Sequence, residues 1–514
     1  MPNTGKPSRD CHLCRQRRVK CDLARPACQR CIKYGAECPG YRDQQELVFR
    51  NADPTVVRKR KKRLPPPPSP SSSDSSSSLP ETDSSTPQFS QNGDFLLTSS
   101  TDLVLVNGAN CNAPPSLTQP VFEHWTSHSV PIILNVYSNL DFIKNIYRNC
   151  GDDGPLIWAA HLFSRTYVTN LRYPTAMYRD AHQETQRELG AYLGKTLNSV
   201  SEALKAPDGA HRDDVLATVW LLTNYELLVG SLSRTETLSP WHLHARGLYS
   251  ILKSRGSAPL YTNAGRTAFW PAYSMVQIQA LVSNTECPPE SMEWLAIIGE
   301  SQSPGEGLGL HICIFISKVC TVQARIYSLL RRRDFPGASK EYSELFVQMK
   351  AAQRELEDWM ASNPAGDHLL EIYVISLYQS AVVKGYHVMH LLINFLTHYP
   401  PCPTPLEQLR ADRRYSIETA QTAAQGILDA VPRVLGPLSA KGKEKSPKAL
   451  FDALRVIWPL IAVYVMGICR PEQRLAAEDL LFYIGRELGV RQALNKYPDG
   501  LTIPQEAREP FGGQ

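Results

Sequence analysis

Six cysteines within the first 38 residues constrain the fold of this chain more than any other feature. They repeat one C-x2-C-x6-C frame twice and are Cys11, Cys14, Cys21, Cys28, Cys31 and Cys38. A C-x2-C pair can place two thiolates on one tetrahedral zinc ion, with Zn–S bonds of about 2.3 Å. Two zinc ions need eight ligand positions, so six thiolates predict a binuclear cluster in which two sulfurs bridge the metals.

A disulfide framework and a one-zinc finger fit these cysteines less well. Disulfide frameworks are typical of short secreted chains, and the polar N-terminus MPNTGKPSRD predicts no signal peptide. A one-zinc finger needs four ligands and usually a pair of histidines, whereas His12 stands alone among these cysteines. The seven later cysteines have no ligand spacing, which favours a reducing, intracellular compartment.

Residues 11–38 resemble the fungal binuclear zinc cluster DNA-binding domain. The resemblance rests on the six cysteines, the run RQRRVKCD and Pro26 between the two halves. It implies two zinc ions per chain, bridged by Cys11 and Cys28. It also implies that each half is a short helix followed by an extended strand, and that the chain is a transcription factor whose partner is double-stranded DNA.

The resemblance further implies that the first helix enters the major groove and reads a CGG-like triplet. The corresponding readers are Arg17 and Arg18, with Arg15 and Lys20 close by. The family most often has lysine where Arg18 stands, a swap that keeps the charge and changes the contact geometry. The chemistry of arginine is consistent with base reading, because one guanidinium group can donate hydrogen bonds to both O6 and N7 of guanine.

Positive charge is concentrated at the N-terminal end. Residues 1–63 hold 17 Lys and Arg against 6 Asp and Glu, a net charge of +11, whereas the remaining residues hold 38 against 44, a net charge of −6. This asymmetry predicts a polyanionic partner for one end only. A basic block just before a proline run is typical of a nuclear localisation signal or a phosphate-contacting arm; its residues are Arg58, Lys59, Arg60, Lys61, Lys62 and Arg63.

Composition predicts a flexible N-terminus at 1–10, a zinc cluster domain at 11–40, and a basic linker at 41–63. The Pro- and Ser-rich stretch at 64–116 predicts a disordered linker. Many zinc cluster proteins continue into a heptad coiled coil, but RDQQELVFRNADPTVV (42–57) has too few apolar a and d positions to predict one. A homodimer therefore stays an open alternative to a monomer.

Residues 117–510 predict an all-α, multi-helix domain, because apolar residues recur at steps of three and four. The clearest runs are 213–232, 308–330, 342–360, 371–396, 416–431 and 448–468. The longest apolar run, 456–469, has 14 residues and contains Pro459. A membrane span needs about 20 apolar residues, so this run predicts a buried helix and no membrane partner.

Short signatures in this region resemble the fungus-specific regulatory domain that accompanies the zinc cluster. They are CPGYRDQQELVFR (38–50), WLLTNYELLVG (220–230), WHLHARGLYSILKSRG (241–256) and VIWPLIAVYVMG (456–467). The resemblance implies a helical domain that regulates activation and, in some members, senses metabolites. For Trp220, Trp241 and Trp458 themselves, simple helix packing is the favoured interpretation.

Enzyme motifs are missing from the sequence, which lacks G-x-S-x-G, H-E-x-x-H and a P-loop. The glycine-rich SPGEGLGL (303–310) follows no predicted strand, which argues against a phosphate-binding loop. His242 and His244 are two apart, which places them on different faces of a helix and argues against a metal site. Cys313 and Cys320 share a helix face, and we expect them to be buried thiols. We therefore expect that the protein is not an enzyme. We expect a nuclear, sequence-specific regulator of RNA polymerase II transcription that acts on a metabolic or biosynthetic gene set. Its further partners would be the transcription machinery or co-regulators. Two alternatives stay open: a ligand-sensing helical receptor, and a repressor or adaptor that docks other proteins.

Overall fold

Two units make up the chain, Met1–Ala113 and Pro114–Gln514, and each is described by itself. The computed structural model describes residues 11, 13–14, 19–24, 27–36, 38, 126–138, 140–149, 154–173, 183–232, 239–364, 366, 369–399, 402–436, 448–495 and 503–511. The linkers predicted at 41–63 and 64–116 lie outside these residues. The domain boundaries drawn from composition remain predictions.

The first unit is built around its cysteines. Helix α1 (Gln29–Lys33) begins directly after Cys28, whose side chain caps the first turn. The helix ends in a turn at Gly35, where φ is +74°, a conformation that glycine adopts without steric cost. One short helix therefore follows the first cysteine of the second half, as the resemblance implied.

The second unit is helical throughout its described residues, and no strand occurs among them. Its α-helices are α2 (Thr126–Val136), α3 (Asp141–Asn149), α4 (Pro155–Arg172), α5 (Gln183–Lys205), α6 (Asp213–Val229), α7 (Pro240–Arg255), α8 (Asn263–Ser283), α9 (Ser291–Ser301), α10 (Gly307–Arg332), α11 (Phe335–Ser362), α12 (Leu369–Thr397), α13 (Leu406–Leu435), α14 (Lys448–Val465), α15 (Pro471–Glu487) and α16 (Gln505–Arg508). Short 3-10 turns occur at Gly209–His211, Ala258–Tyr261 and Arg491–Leu494. The predicted all-α class is confirmed.

One helix begins earlier than the sequence predicts, in a segment that contains a buried carboxylate. The apolar pattern predicts a helix from residue 416, but α13 begins at Leu406. Asp412, in the added segment, is buried and accepts a hydrogen bond of 2.6 Å from Tyr342 Oη on α11. Apolar periodicity cannot detect a helix turn whose inward residue is a carboxylate satisfied by a distant tyrosine.

Three signature tryptophans lie in the core, as packing predicts. Trp220, Trp241 and Trp458 are all buried. Trp241 on α7 and Trp458 on α14 have ring centroids 4.9 Å apart, so two segments distant in sequence pack directly together. Pro459 lies inside α14.

One described helix, α10, is long and apolar enough to cross a membrane by length and composition alone. The longest apolar run of the sequence, 456–469, lies elsewhere, and its helix α14 ends at Val465. In α10, 56% of the apolar window is buried within the protein, and the helix packs against α8, α9, α11 and α12. In this structure α10 is an interior helix of the second unit.

Candidate metal centre

The two C-x2-C pairs adopt the same local geometry. The backbone N–H of Cys14 donates to Cys11 Sγ at 3.4 Å, and that of Cys31 donates to Cys28 Sγ at 3.3 Å. The sequence repeat is therefore also a structural repeat, in which a backbone N–H donates to the first sulfur of each half.

The six sulfurs form two groups of four. One group contains Cys11, Cys14, Cys21 and Cys28, and the other contains Cys11, Cys28, Cys31 and Cys38. Within each group all Sγ atoms lie within 4.8 Å of one another. Cys11 and Cys28 belong to both groups, and these are the cysteines that the resemblance assigned as bridges.

The spacing of the sulfurs fits zinc. Four thiolates around a zinc ion at about 2.3 Å form a tetrahedron with edges of about 3.8 Å. The Sγ atoms are 3.7 Å apart for Cys11 and Cys28, 3.6 Å for Cys11 and Cys31, and 3.6 Å for Cys14 and Cys28. All but the half-buried Cys38 are buried. The donor set is therefore soft, correctly spaced and shielded, as a binuclear zinc site requires.

Burial opposes ionisation of three of these sulfurs, whereas at Cys21 backbone hydrogen bonds outweigh burial and lower the pKa to about 7. Burial raises the pKa of Cys14 to about 12, and it also raises the pKa of Cys31 and of Cys28. Since the ligands must be thiolates, binding a divalent cation releases protons. Metal binding at this site is therefore coupled to loss of thiol protons.

A family comparison decides the identity of this segment. The family model of the fungal Zn(2)-Cys(6) binuclear cluster domain matches residues 9–47. Residues 9–47 are a fungal binuclear zinc cluster domain. The zinc cluster domain binds two zinc ions. No curated protein and no solved structure matched the chain.

The zinc cluster domain indicates a fungal DNA-binding transcription factor. Its family is one of transcription factors rather than enzymes, and such factors are typically nuclear. The match covers the N-terminal segment, so the resemblance of the helical unit to the fungus-specific regulatory domain stays a prediction.

The predicted DNA-contacting residues are described only in part. Lys20 is exposed beside the buried Cys21. Arg15, Arg17 and Arg18 lie outside the described residues, as does the basic block at 58–63. Their roles remain predictions.

Sequence reasoning gave no structural role to Asp22, the last residue of the run RQRRVKCD. Its Oδ2 atom accepts a hydrogen bond of 3.0 Å from the backbone N–H of Gln29, the first residue of α1. This contact ties the first half of the domain to the start of the helix in the second half. The signal was available, since carboxylates favour the free N–H groups of a helix N-terminus.

Side-chain contacts account for the remaining candidates in the second unit without a metal. His242 Nδ1 is 2.9 Å from Ser239 Oγ, whereas His244 Nε2 is 3.4 Å from the Glu226 carboxylate. The two histidines therefore have separate partners. In SPGEGLGL, Glu306 receives hydrogen bonds from buried Arg266. This segment therefore places a carboxylate where a phosphate cradle would need donors.

Proposed function

We propose that the zinc cluster domain reads a CGG-like triplet in the major groove through Arg17 and Arg18, and that the helical unit controls RNA polymerase II transcription of a metabolic or biosynthetic gene set. The observation that carries this proposal is the grouping of Cys14 and Cys21 within one four-sulfur group. In the sequence, the basic run therefore lies between two cysteines of the same candidate zinc site. The boundaries 11–40 and 117–510, nuclear import through 58–63, and docking to the transcription machinery or co-regulators belong to the same proposal.

The six cysteines would hold two zinc ions, which would offset part of the thiolate charge and join the two halves. The protein's own side chains would make the contacts with DNA. Binding of Cys14 and Cys21 to zinc would lower the conformational entropy that the intervening arginines lose when they bind guanine O6 and N7. Lys20, which is exposed, would contact a phosphate, and such a contact positions the domain without reading sequence.

Selection of randomised double-stranded DNA by the full-length, zinc-loaded protein tests this proposal. Zinc per chain is counted on the same sample. We expect two zinc ions and enrichment of a CGG-like triplet, and the spacing of recovered half-sites distinguishes a monomer from a homodimer. Arg30→Ala, on exposed α1 surface, is the matched control and should keep the motif. Two zinc ions without an enriched triplet would contradict the proposal.

A cavity in the helical unit supports a second candidate function, the sensing of a small molecule. The cavity has a volume of about 630 Å³, within the range of ligand sites. It lies between α3 and the N-terminal ends of α6 and α8, and its polar lining includes Asn145, Asn149 and Asn263. A thermal-shift screen of hydroxylated small molecules, repeated on Asn145→Phe to fill the cavity, tests this function. A hit whose shift survives in Asn145→Phe binds elsewhere and argues against it.

A further inference from the structure

Helix α5 (Gln183–Lys205) presents a continuous face to solvent. The residues of α5 that lie in the core are Leu189, Thr196, Val200 and Ala203. On another face, residues recur at alternating steps of three and four, and these are Arg187, Gly190, Gly194, Leu197, Ser201 and Leu204. All are exposed except Gly194, which is half-buried. Such steps average 3.5 residues, the period at which one helix packs along another. These six residues are termed the α5 seam.

The two glycines of the α5 seam are not required by the fold of the chain itself. A Cβ atom built at Gly190 or Gly194 would have none of the described atoms within 4 Å, apart from its chain neighbours and the helix's own backbone. Neither glycine has a positive φ. Glycine weakens a helix interior relative to alanine, so α5 carries an unfavourable residue twice where its own packing needs none. What a glycine does permit there is close approach by another chain.

The leucines of the α5 seam fit the space beside these glycines. Leu197 and Leu204 are each 43% exposed, and a single exposed leucine is ordinary on a protein surface. When two α5 helices run in opposite directions, Leu197 can lie opposite Gly194 of a second copy. The same register places Ser201 opposite Gly190 of that copy. A large residue then faces a small one, which lets two helices pack closely.

The exposed charges of α5 are complementary in this antiparallel register. Glu184 comes close to Lys205 of the second copy, and Arg187 comes close to Glu202 of the second copy. Within one chain, Glu202 and Lys205 pair at 2.6 Å while 71% and 66% of their side chains stay exposed, so both remain accessible to a second helix. A two-fold axis repeats each pair at the other end of the interface. A parallel pair of helices would instead bring like charges together at each of these levels.

We propose that the α5 seam is a homodimer interface, in which the α5 helices of two copies of this chain pack in antiparallel orientation. The occupant is a second copy because the charges of α5 complement those of the same helix reversed. The 23 residues of α5 provide a contact about 34 Å long. The dimer would carry two zinc cluster domains. Its formation does not depend on the reading of a CGG-like triplet, because the contacts lie in the helical unit alone.

Sedimentation equilibrium of the full-length, zinc-loaded protein without DNA tests this proposal, and we expect a monomer–dimer equilibrium. Leu197→Gln removes an apolar contact of the interface, and Gly194→Gln fills the space that faces Leu197. Each should raise the Kd of the dimer by about tenfold or more. Glutamine is a good helix former, so both variants should keep the fold, which circular dichroism checks. Leu475→Gln, at a leucine of α15 that is 59% exposed, is the matched control and should dimerise as the wild type does.

Charge reversal tests the orientation of the two helices. Glu184→Lys or Lys205→Glu alone places like charges together at both ends of the interface and should weaken the dimer. The double variant should restore it. Glu418→Lys, at an exposed position of α13, controls for the change in net charge. Single variants that dimerise as the wild type does would overturn the antiparallel arrangement. A monomer at every concentration, or a dimer that Leu197→Gln and Gly194→Gln leave unchanged, would overturn the interface itself.

Discussion

The Sγ atoms of Cys11 and Cys28 lie 3.7 Å apart, and each belongs to both four-sulfur groups. The other four cysteines belong to one group each. A shared sulfur contributes to two metal sites and an unshared sulfur to one. The structure therefore divides six cysteines that are equivalent in the sequence pattern into two functional classes.

Cys28→Ala should remove both zinc ions, because it takes one ligand from each site. Cys38→Ala removes one ligand from one site, and that sulfur is only half-buried. We expect near-complete loss of zinc and of DNA binding in the first variant and retention of zinc at one site in the second, measured by atomic emission and by DNA titration. Cys469→Ala, in the helical unit, should keep two zinc ions. Equal zinc loss in Cys28→Ala and Cys38→Ala would contradict shared ligation.

Arg18→Ala and Lys20→Ala should weaken DNA binding in different ways. If Arg18 reads guanine, its loss costs about 1–3 kcal/mol and relaxes preference at one base position. Lys20 is exposed next to Cys21. Lys20→Ala should lower DNA affinity equally for all sequences and reduce the slope of log affinity against log salt concentration by about 1. Titrations against a set of single-base variants at several salt concentrations separate the two. A uniform loss for Arg18→Ala would make it a phosphate contact.

Alanine replacement of the basic block at 58–63 should move the protein from the nucleus to the cytoplasm. The physical reason is the loss of the positive cluster that an import receptor would bind. Fluorescence microscopy of the tagged full-length chain measures this. Replacement of Lys6 and Arg9, two basic residues outside the block, is the control. If the variant stays in the nucleus and its DNA affinity depends less steeply on salt concentration, the block is instead a phosphate-contacting arm.

Glu306→Ala should strongly destabilise the helical unit. The Glu306 carboxylate accepts hydrogen bonds from Arg266 Nε at 2.9 Å and from Trp270 Nε1 at 3.0 Å. Only 3% of the Arg266 side chain is exposed, so removing its partner leaves a buried, unpaired charge. We expect a loss of about 3–5 kcal/mol in the free energy of unfolding by denaturant titration.

An exposed ion pair supplies the comparison for Glu306. Glu355 pairs with Lys318 while 61% of its side chain is exposed. Glu355→Ala should therefore cost less than about 1 kcal/mol. Similar losses for Glu306→Ala and Glu355→Ala would show that burial of Arg266 does not decide the effect.

His390 should make the helical unit less stable in acid. Burial, together with the nearby Arg413 charge, lowers the pKa of His390 from 6.5 to about 4. Between these two values the unfolded chain takes up a proton at His390 and the folded chain does not. The free energy of unfolding should therefore fall by ~1 kcal/mol for each pH unit between about 6 and 4.

Replacing His390 isolates its contribution. His390→Gln should flatten the pH dependence relative to wild type, followed by far-ultraviolet circular dichroism, which reports mainly on the helical unit. His211→Gln, at an exposed position, should leave the slope as it is. An unchanged slope in His390→Gln would show that other groups cause the acid sensitivity.

Sequence patterns predicted helices well where apolar residues recur without interruption. Helix α10 was predicted at 308–330 and spans Gly307–Arg332, and α12 was predicted at 371–396 and spans Leu369–Thr397. The prediction failed at the start of α13, where Asp412 faces the core and bonds to Tyr342. A buried carboxylate is stable only with its partner in place, and that partner lies on another helix.

The sequence by itself determined the metal centre, because ligands on one zinc ion are selected by spacing over a few residues and by thiolate chemistry. Six cysteines in two repeats were enough to predict two metals and two shared sulfurs. Only the tertiary structure decided that Trp241 packs on Trp458 and that Tyr342 donates to Asp412. These contacts join residues far apart in the chain. Their partners depend on how whole helices pack, which no local spacing specifies.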